Sequence, residues 1–434
     1  MGATTGSRPR VRGVRIRYLI LGLISLMYFI TYIDRTNISV AAPVIEKSLH
    51  FSKIQMGLIF SAFAYPYGFL QIFGGWFGDV LGPRLGLVLI GLVWSAATLI
   101  TGGCRTLGQF LGARFLLGLG EAGAFPTATR AFATWMPPEE RGLAQGIPHS
   151  FARLGGAAAP PLVVGITLAL GWQASFYALG AVSLVWVLVF LAYFRNEPRT
   201  HPAVTASELA EIGERTKSTD RRRIPWGQLA ARIWPVTLVD FCYGWCLWVY
   251  LTWLPSYLVQ ARHFSFKSMA LYASLPLLAG VVGDTLGGLI TDALLRRTGN
   301  LRFARTSIII AGLLAAGGLI FPAAYGASAV GAVVFLSASF FCLELTNSSL
   351  WALPMDIAPE FAGTAGGMMN TGFGIAGTVA PLVFGWLIQS THNWQVPFAV
   401  TAALLLVGAV AAFAINPVRG VKIEAAPVPS AAPA

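Results

Sequence analysis

The chain has 434 residues, 56% of them hydrophobic and 11% charged, with a mean hydropathy of +0.67. Soluble domains carry about 25% charged residues and a membrane-crossing helix needs about 20 apolar ones, so the composition excludes an ordinary globular protein and leaves a polytopic helical membrane protein. The net charge of +12 would suggest a nucleic-acid partner in a soluble chain; here the excess sits in alternate loops, and no nucleic-acid role follows.

Arg8, Arg10, Arg12, Arg15 and Arg17 precede the first apolar run. Apolar segments then occupy 18–40, 54–77, 84–103, 107–130, 141–170 and 172–194. A hydrophilic stretch covers 195–232, and six more apolar segments follow at 233–260, 268–294, 304–324, 328–353, 362–390 and 394–416. This pattern predicts an all-α membrane protein of twelve transmembrane helices in two six-helix bundles. Residues 1–194 form the N-terminal bundle, 195–232 a cytoplasmic central loop, and 233–434 the C-terminal bundle with its tail. Thr205 and Glu208 have capping-box spacing, which predicts a short surface helix in the loop. The Ala- and Pro-rich tail from Glu424 reads as disordered. Basic clusters lie at the N-terminus, within 215–232 and at Arg296, Arg297, Arg302 and Arg305, whereas intervening loops are poor in cations. The positive-inside rule therefore places both termini and the central loop in the cytoplasm, and the expected location is the cell (inner) membrane. The first apolar stretch is long and lacks a small-residue cleavage site, so it is read as a retained helix. Cys104, Cys242, Cys246 and Cys342 have no His or acid at ligand spacing, so no metal site is expected.

The halves repeat. Gly75-Trp76-Phe77-Gly78-Asp79 followed by Arg84 returns as Gly288-Leu289-Ile290-Thr291-Asp292 followed by Arg296. Pro138-Glu139-Glu140-Arg141-Gly142 is echoed by Pro359-Glu360-Phe361-Ala362-Gly363, and Gly171-Trp172-Gln173 by Asn393-Trp394-Gln395. Two repeats related by an axis along the membrane normal place a binding site between them, near the midplane.

Ionisable side chains inside a membrane cost about 2.5–3.5 kcal/mol each on insertion scales, so each calls for a reason. Asp34, Arg35, Arg114 and Glu121 concentrate in the N-terminal half. Arg114 and Glu121 are seven residues apart on one helix face, separated by about 10 Å of rise, so each must seek its partner on another helix; Asp34 and Arg35 are the natural ones. The four charges sum to zero. Protonating one acid makes the sum +1, which favours a carboxylate, and by linkage the anion favours the proton. A static salt-bridge lock is the rival reading. His149 and Arg153 are four apart and share a helix face that would extend an anion site, or Arg153 would pair with an acid. Asp240 and Glu344 leave a second proton site in the C-terminal half open. Asp79, Arg84, Glu139 and Arg141, with the repeat's Asp292, sit at cytoplasmic helix ends where charge pairs and helix dipoles would latch the outward-facing state, an ordinary anchored loop being the rival reading. Gly118-Leu119-Gly120-Glu121-Ala122-Gly123 fits a dinucleotide GxGxxG, but inside an apolar helix with no preceding strand close packing explains it better.

The Gly75…Asp79…Gly82-x-Arg84 loop and its weaker copy resemble the signature of the major facilitator superfamily. Within it, Tyr32-Ile33-Asp34-Arg35-x-Asn37, Arg114…Glu121-Ala122-x-x-Phe125-Pro126 and Thr252-Trp253-Leu254-Pro255-x-Tyr257-Leu258 are similar to the anion:cation symporter family. That family includes bacterial carriers of galactonate, hexuronate, glucarate and phthalate. The resemblance implies Asp34 and Glu121 as proton-coupling carboxylates, Arg35 as a carboxylate contact, and Arg114 as partner of the acids or a second anion ligand. It implies Tyr32 and Tyr67 as cavity tyrosines and Asn370 as a polar contact for substrate hydroxyls. The expected function is proton-coupled symport of a small organic carboxylate, foremost a sugar acid, by a transporter that is not an enzyme. It would work as a monomer in the lipid bilayer with no cofactor beyond the coupling proton. Carriage of aromatic or dicarboxylic acids is the alternative, and a ligand sensor without flux the more distant one.

Overall fold

A computed structural model describes residues 15–137, 140–212, 226–326, 328–358 and 362–418, with backbone alone at 71–80, 133, 141–143, 145, 355 and 362–364. Fifteen α-helices and no strand are found among the described residues. They are α1 (Ile16–Leu49), α2 (Lys53–Phe69), α3 (Gln71–Gly103), α4 (Leu107–Ala122), α5 (Ala124–Trp135), α6 (Arg141–Leu170), α7 (Trp172–Tyr193), α8 (Ala206–Ile212), α9 (Trp226–Gln260), α10 (Phe266–Thr298), α11 (Leu301–Tyr325), α12 (Ala329–Glu344), α13 (Asn347–Ile357), α14 (Ala362–Thr391) and α15 (Gln395–Ala412).

Twelve spans result once broken helices are joined. Gly82 at φ +76° divides α3, so α2 and the start of α3 make one span and the remainder the next. A side chain at Gly82 would be strained by that φ and would meet Asn196 Nδ2 at 2.7 Å. Helices α4 and α5 form one span interrupted at Gly123, where Pro126 has no N–H for the Ala122 carbonyl. Helices α12 and α13 form another, interrupted at Leu345–Thr346. Nine of the described helical stretches are long and apolar enough to cross a membrane unaided. The other three spans are α2 with the start of α3, α4–α5 broken into helices of 16 and 12 residues, and the Trp- and Tyr-rich α9.

Local caps fix the ends. Ser52 with Gln55 and Thr106 with Gln109 close capping boxes on α2 and α4. The loop helix expected at Thr205 forms as α8, and Glu208 N donates to Thr205 Oγ1 at 3.3 Å. The Glu208 carboxylate, however, turns away from that box and accepts from Ile16 N and Arg17 N at 3.2 and 2.9 Å, capping α1 instead. Two boundaries differ from expectation. Helix α1 continues to Leu49, and α9 begins at Trp226, inside the stretch expected as loop, because both helix ends remain amphipathic beyond the hydrocarbon-length core. The residues from Glu424, and Arg8, Arg10 and Arg12, lie outside the described residues.

Packing divides the helices into α1–α7 and α9–α15, which meet through α2 against α14, α6 against α10 and α1 against α9. Large apolar side chains such as Leu170, Leu188, Val334 and Val410 are exposed around the perimeter, a surface suited to lipid rather than water. Asp34, Arg35, Arg114, Glu121, Asp240 and Glu344 are buried.

Candidate functional site

The first charge cluster forms where α1 meets α4. Arg35 Nε donates to Glu121 Oε2 at 2.5 Å, so the partner sought by Glu121 is indeed on the first helix. The approach of α4 to its neighbours is set by glycine. A Cβ at Gly118 would lie 2.1 Å from the Phe63 carbonyl oxygen on α2, and one at Gly120 would lie 2.9 Å from Trp94 N on α3. These are the glycines of the apparent dinucleotide motif, and close helix packing is their work here.

The Arg35 guanidinium is boxed by aromatic rings: Tyr67 at 4.3 Å, Tyr32 at 5.0 Å, Phe125 at 5.1 Å and Phe63 at 5.2 Å from its carbon to the ring centroids. These cation–π contacts replace part of the hydration lost on burial. Tyr32 and Tyr67 thus meet the expected cationic centre. Arg114 lies over the other side of the cluster, 4.9 Å from the Phe63 centroid. Asp34 accepts from Ser183 Oγ at 3.2 Å. Among the described residues, Asp34 Oδ1, Arg35 Nη2, Arg114 Nε and Glu121 Oε1 have no hydrogen-bond partner. Buried polar atoms are nearly always paired. Two guanidinium nitrogens and two carboxylate oxygens left open together can accept what a fold lock would not need: an anion and a proton.

Phe125 connects this cluster to the next. It stacks on Tyr28 at 4.2 Å, and His149 approaches both rings edgewise at 5.5 and 6.2 Å. One turn along α6, Arg153 Nη2 lies 2.9 Å from Glu344 Oε2 on α12 and 3.4 Å from the Tyr243 hydroxyl on α9. Tyr243 in turn donates to Glu344 Oε1 at 3.1 Å. Arg153 therefore reaches into the other group of helices, which sequence reasoning left open: spacing along α6 gives its face, not which helix faces it. Asp240 is buried on α9, with Oδ2 unpartnered. Asn370 is half-buried on α14, where it has contacts of its own.

The helix-end residues behave differently. Arg84 donates through Nη2 and Nε to the Leu191 carbonyl at 2.7 and 3.2 Å, and its N–H goes to Asn196 Oδ1 at 2.8 Å, so it secures the end of α7. Asp292 is exposed, 3.9 Å from Arg305, whose closer partner is Asp356 at 2.9 Å. Glu139 and the side chains of Asp79 and Arg141 lie outside the described residues. Two networks were not anticipated. At the end near the termini, Arg17 bridges Glu140 and Glu211, both at 2.9 Å, and Arg15 also pairs with Glu211. At the opposite end, Lys53 pairs with Glu46 and with Gln260 of α9, and lies 5.6 Å from the Trp394 ring. Long polar side chains at loop boundaries were the available signal, and it is shared with every solvated helix end. A hollow of about 260 Å³ at that far end, lined by Arg262, His392 and Gln395 among others, is remote from the central charges.

Residues 24–381 match the Major Facilitator Superfamily. The chain is 56% identical over 409 residues to a protein of Cupriavidus necator named as a probable sulfoacetate transporter, covering 93% of this chain and 95% of that one. It is 32% identical over 427 residues to a probable galactarate/D-glucarate transporter of Escherichia coli (93% and 94% covered), and 32% over 413 residues to a D-galactonate transporter of the same species (91% and 94%). Among solved structures, an inward-facing, unoccupied bacterial homologue of the human lysosomal transporter Spinster has the same fold, with a TM-score of 0.77 at 18% identity over 94% of this chain and 98% of that one. The match over most of the length and the twelve-span architecture agree: this chain belongs to the Major Facilitator Superfamily of transporters, not to any enzyme family.

Proposed function

We propose that the protein carries a small, doubly charged organic acid of the sulfonated-carboxylate type, such as sulfoacetate, together with protons. The two six-helix halves, residues 1–194 and 233–434, rock about a central site in a cell membrane with both termini cytoplasmic. The observation that carries this reading is the buried Arg35–Glu121 pair with its open donor and acceptor atoms. Arg35 offers a planar, permanently charged fork to an acid group. Glu121 must give up part of its hold on Arg35 for that to happen, and a proton on Glu121 makes the exchange free of net charge. Asp34, with one oxygen open, is the second proton acceptor of this cluster. Arg114 supplies the remaining positive field. The relative named for sulfoacetate transport, at 56% identity, supports the substrate class.

A second reading, transport of a sugar acid with Asn370 meeting its hydroxyls, is favoured by the relatives named for galactarate, D-glucarate and D-galactonate. Purified protein in liposomes separates them. With an imposed pH gradient, labelled sulfoacetate is expected to accumulate, and galactonate, glucarate and phthalate much less. Preferential accumulation of galactonate or glucarate would establish the second reading. Sulfoacetate uptake indifferent to the gradient would overturn proton coupling, and saturable binding without flux would mark a sensor.

A further inference from the structure

We propose that Glu344 and Arg153 form a second anion-for-proton exchange site, which takes the other acid group of the same substrate. The inference rests on the transport reading above and adds a site that spans the two halves. Arg153 stands on α6 of one half and Glu344 on α12 of the other, 2.9 Å apart. Glu344 is fully buried, whereas the Arg153 side chain is 13% exposed, so the cation is reachable and the acid is not. An incoming anion therefore meets Arg153 before Glu344 and competes with Glu344 for it.

The internal repeat points to the same pair. Glu121 and Glu344 lie 223 positions apart, one more than the 222 that separate Trp172 from Trp394. Each acid stands just before a helix interruption, Glu121 two residues before Gly123 and Glu344 as the last residue of α12. Each is bound to an arginine of a neighbouring helix. The repeat has thus set one buried acid before an interruption in each half, and an arginine of the N-terminal half holds each of them. A Cβ at Gly287 of α10 would lie 2.2 Å from the Leu345 carbonyl oxygen, so the interruption after Glu344 is packed in place.

Charge accounting gives the chemistry. The Arg153–Glu344 pair is neutral. When the substrate's second acid group takes the guanidinium, one proton from water passes to the Glu344 carboxylate, forming its O–H bond. The assembly of pair and anion stays neutral. One such exchange suffices for a monoanion; a dianion needs the second. Tyr243 of α9 can hold Glu344 in either form, donating to the carboxylate as now or accepting from the carboxylic acid. Other ionisable groups face the acid. Cys246 is on α9, and Asp284 on α10 is already engaged by Asn347 Nδ2 and Ser348 Oγ at 3.1 Å each. His149, on α6 with Arg153, lies toward Asp284.

The test counts protons entering per sulfoacetate in proteoliposomes, by parallel pH-electrode and isotope measurements. The Glu344→Gln variant is expected to take up one proton fewer per anion than the unsubstituted protein, with anion exchange still measurable. An unchanged ratio overturns the inference. If Glu344→Gln does not fold, R153Q/E344Q leaves no buried charge unpaired and is read the same way: a ratio lower by one supports the site, and the original ratio overturns it. Absence of organic-anion uptake by the unsubstituted protein would instead sink the transport reading itself, so the two failures are distinct.

Discussion

Arg35 and Glu121 are held in a medium where an unpaired charge is expensive, and truncation of one partner exposes that cost. Arg35→Gln strands the Glu121 carboxylate and should destabilise the protein by about 3–5 kcal/mol. R35Q/E121Q, which removes both charges, should recover most of the loss; thermal unfolding in detergent compares the two. Glu121→Gln should leave anion exchange measurable while lowering gradient-driven accumulation by about tenfold per pH unit of gradient, because each lost proton removes about 1.4 kcal/mol of drive per unit. Full uphill transport by that variant would end its role in coupling. This pair was legible in the sequence because seven residues of helix put Arg114 and Glu121 too far apart to satisfy one another, which forced a search on other helices. Of the Arg153–Glu344 pair only an arginine in want of an acid was legible, not which acid, since hydropathy and periodicity describe one helix at a time and say nothing of which faces meet across two halves.

Helices and their ends carry the next set of expectations. Glu208 caps the first turn of α1 from a helix nearly two hundred residues away, so Glu208→Ala should cost about 1 kcal/mol, as lost N-caps do, with little effect on substrate affinity. His201, in the segment after α7, packs edgewise on Trp135 and Tyr193 and accepts the Ala203 N–H through Nδ1 at 3.3 Å. Burial, and then the charge of Arg195, hold its pKa below the ordinary 6.5. The unfolded chain therefore binds the proton first. The stabilisation is present above pH 6.5 and declines as acidification proceeds below it. Thermal unfolding on either side of that pH should show a decline that His201→Gln lessens. The twelve spans themselves were legible from hydropathy alone. The interruptions at Gly123 and at Leu345–Thr346 were not, because both lie inside apolar runs, and a proline such as Pro126 is tolerated within membrane helices and does not by itself announce a break.

At the scale of the whole molecule, the two groups of helices are joined most tightly at the end away from the termini. There Lys53 ties α2 to Gln260 of α9, Ile54 N donates to Gln389 Oε1 of α14 at 3.2 Å, and Phe60 meets Trp253 edgewise at 5.4 Å. A short bis-maleimide bridge between cysteines in K53C/Q260C should therefore abolish transport while retaining sulfoacetate binding from the side of the termini; continued flux in the bridged protein would refute a rocking cycle. The seam between α2 and α14 has its own consequence. Gly57 approaches the Pro381 carbonyl, and Gly68 and Gly374 present bare Cα atoms to each other, so that a methyl group on either would come within 3 Å of the opposite backbone. Two rods that touch along naked main chain have no knobs to lift out of holes when one turns over the other. Such a surface acts as a bearing, and bulk added at Gly68 or Gly374 would seize it without touching any charged group.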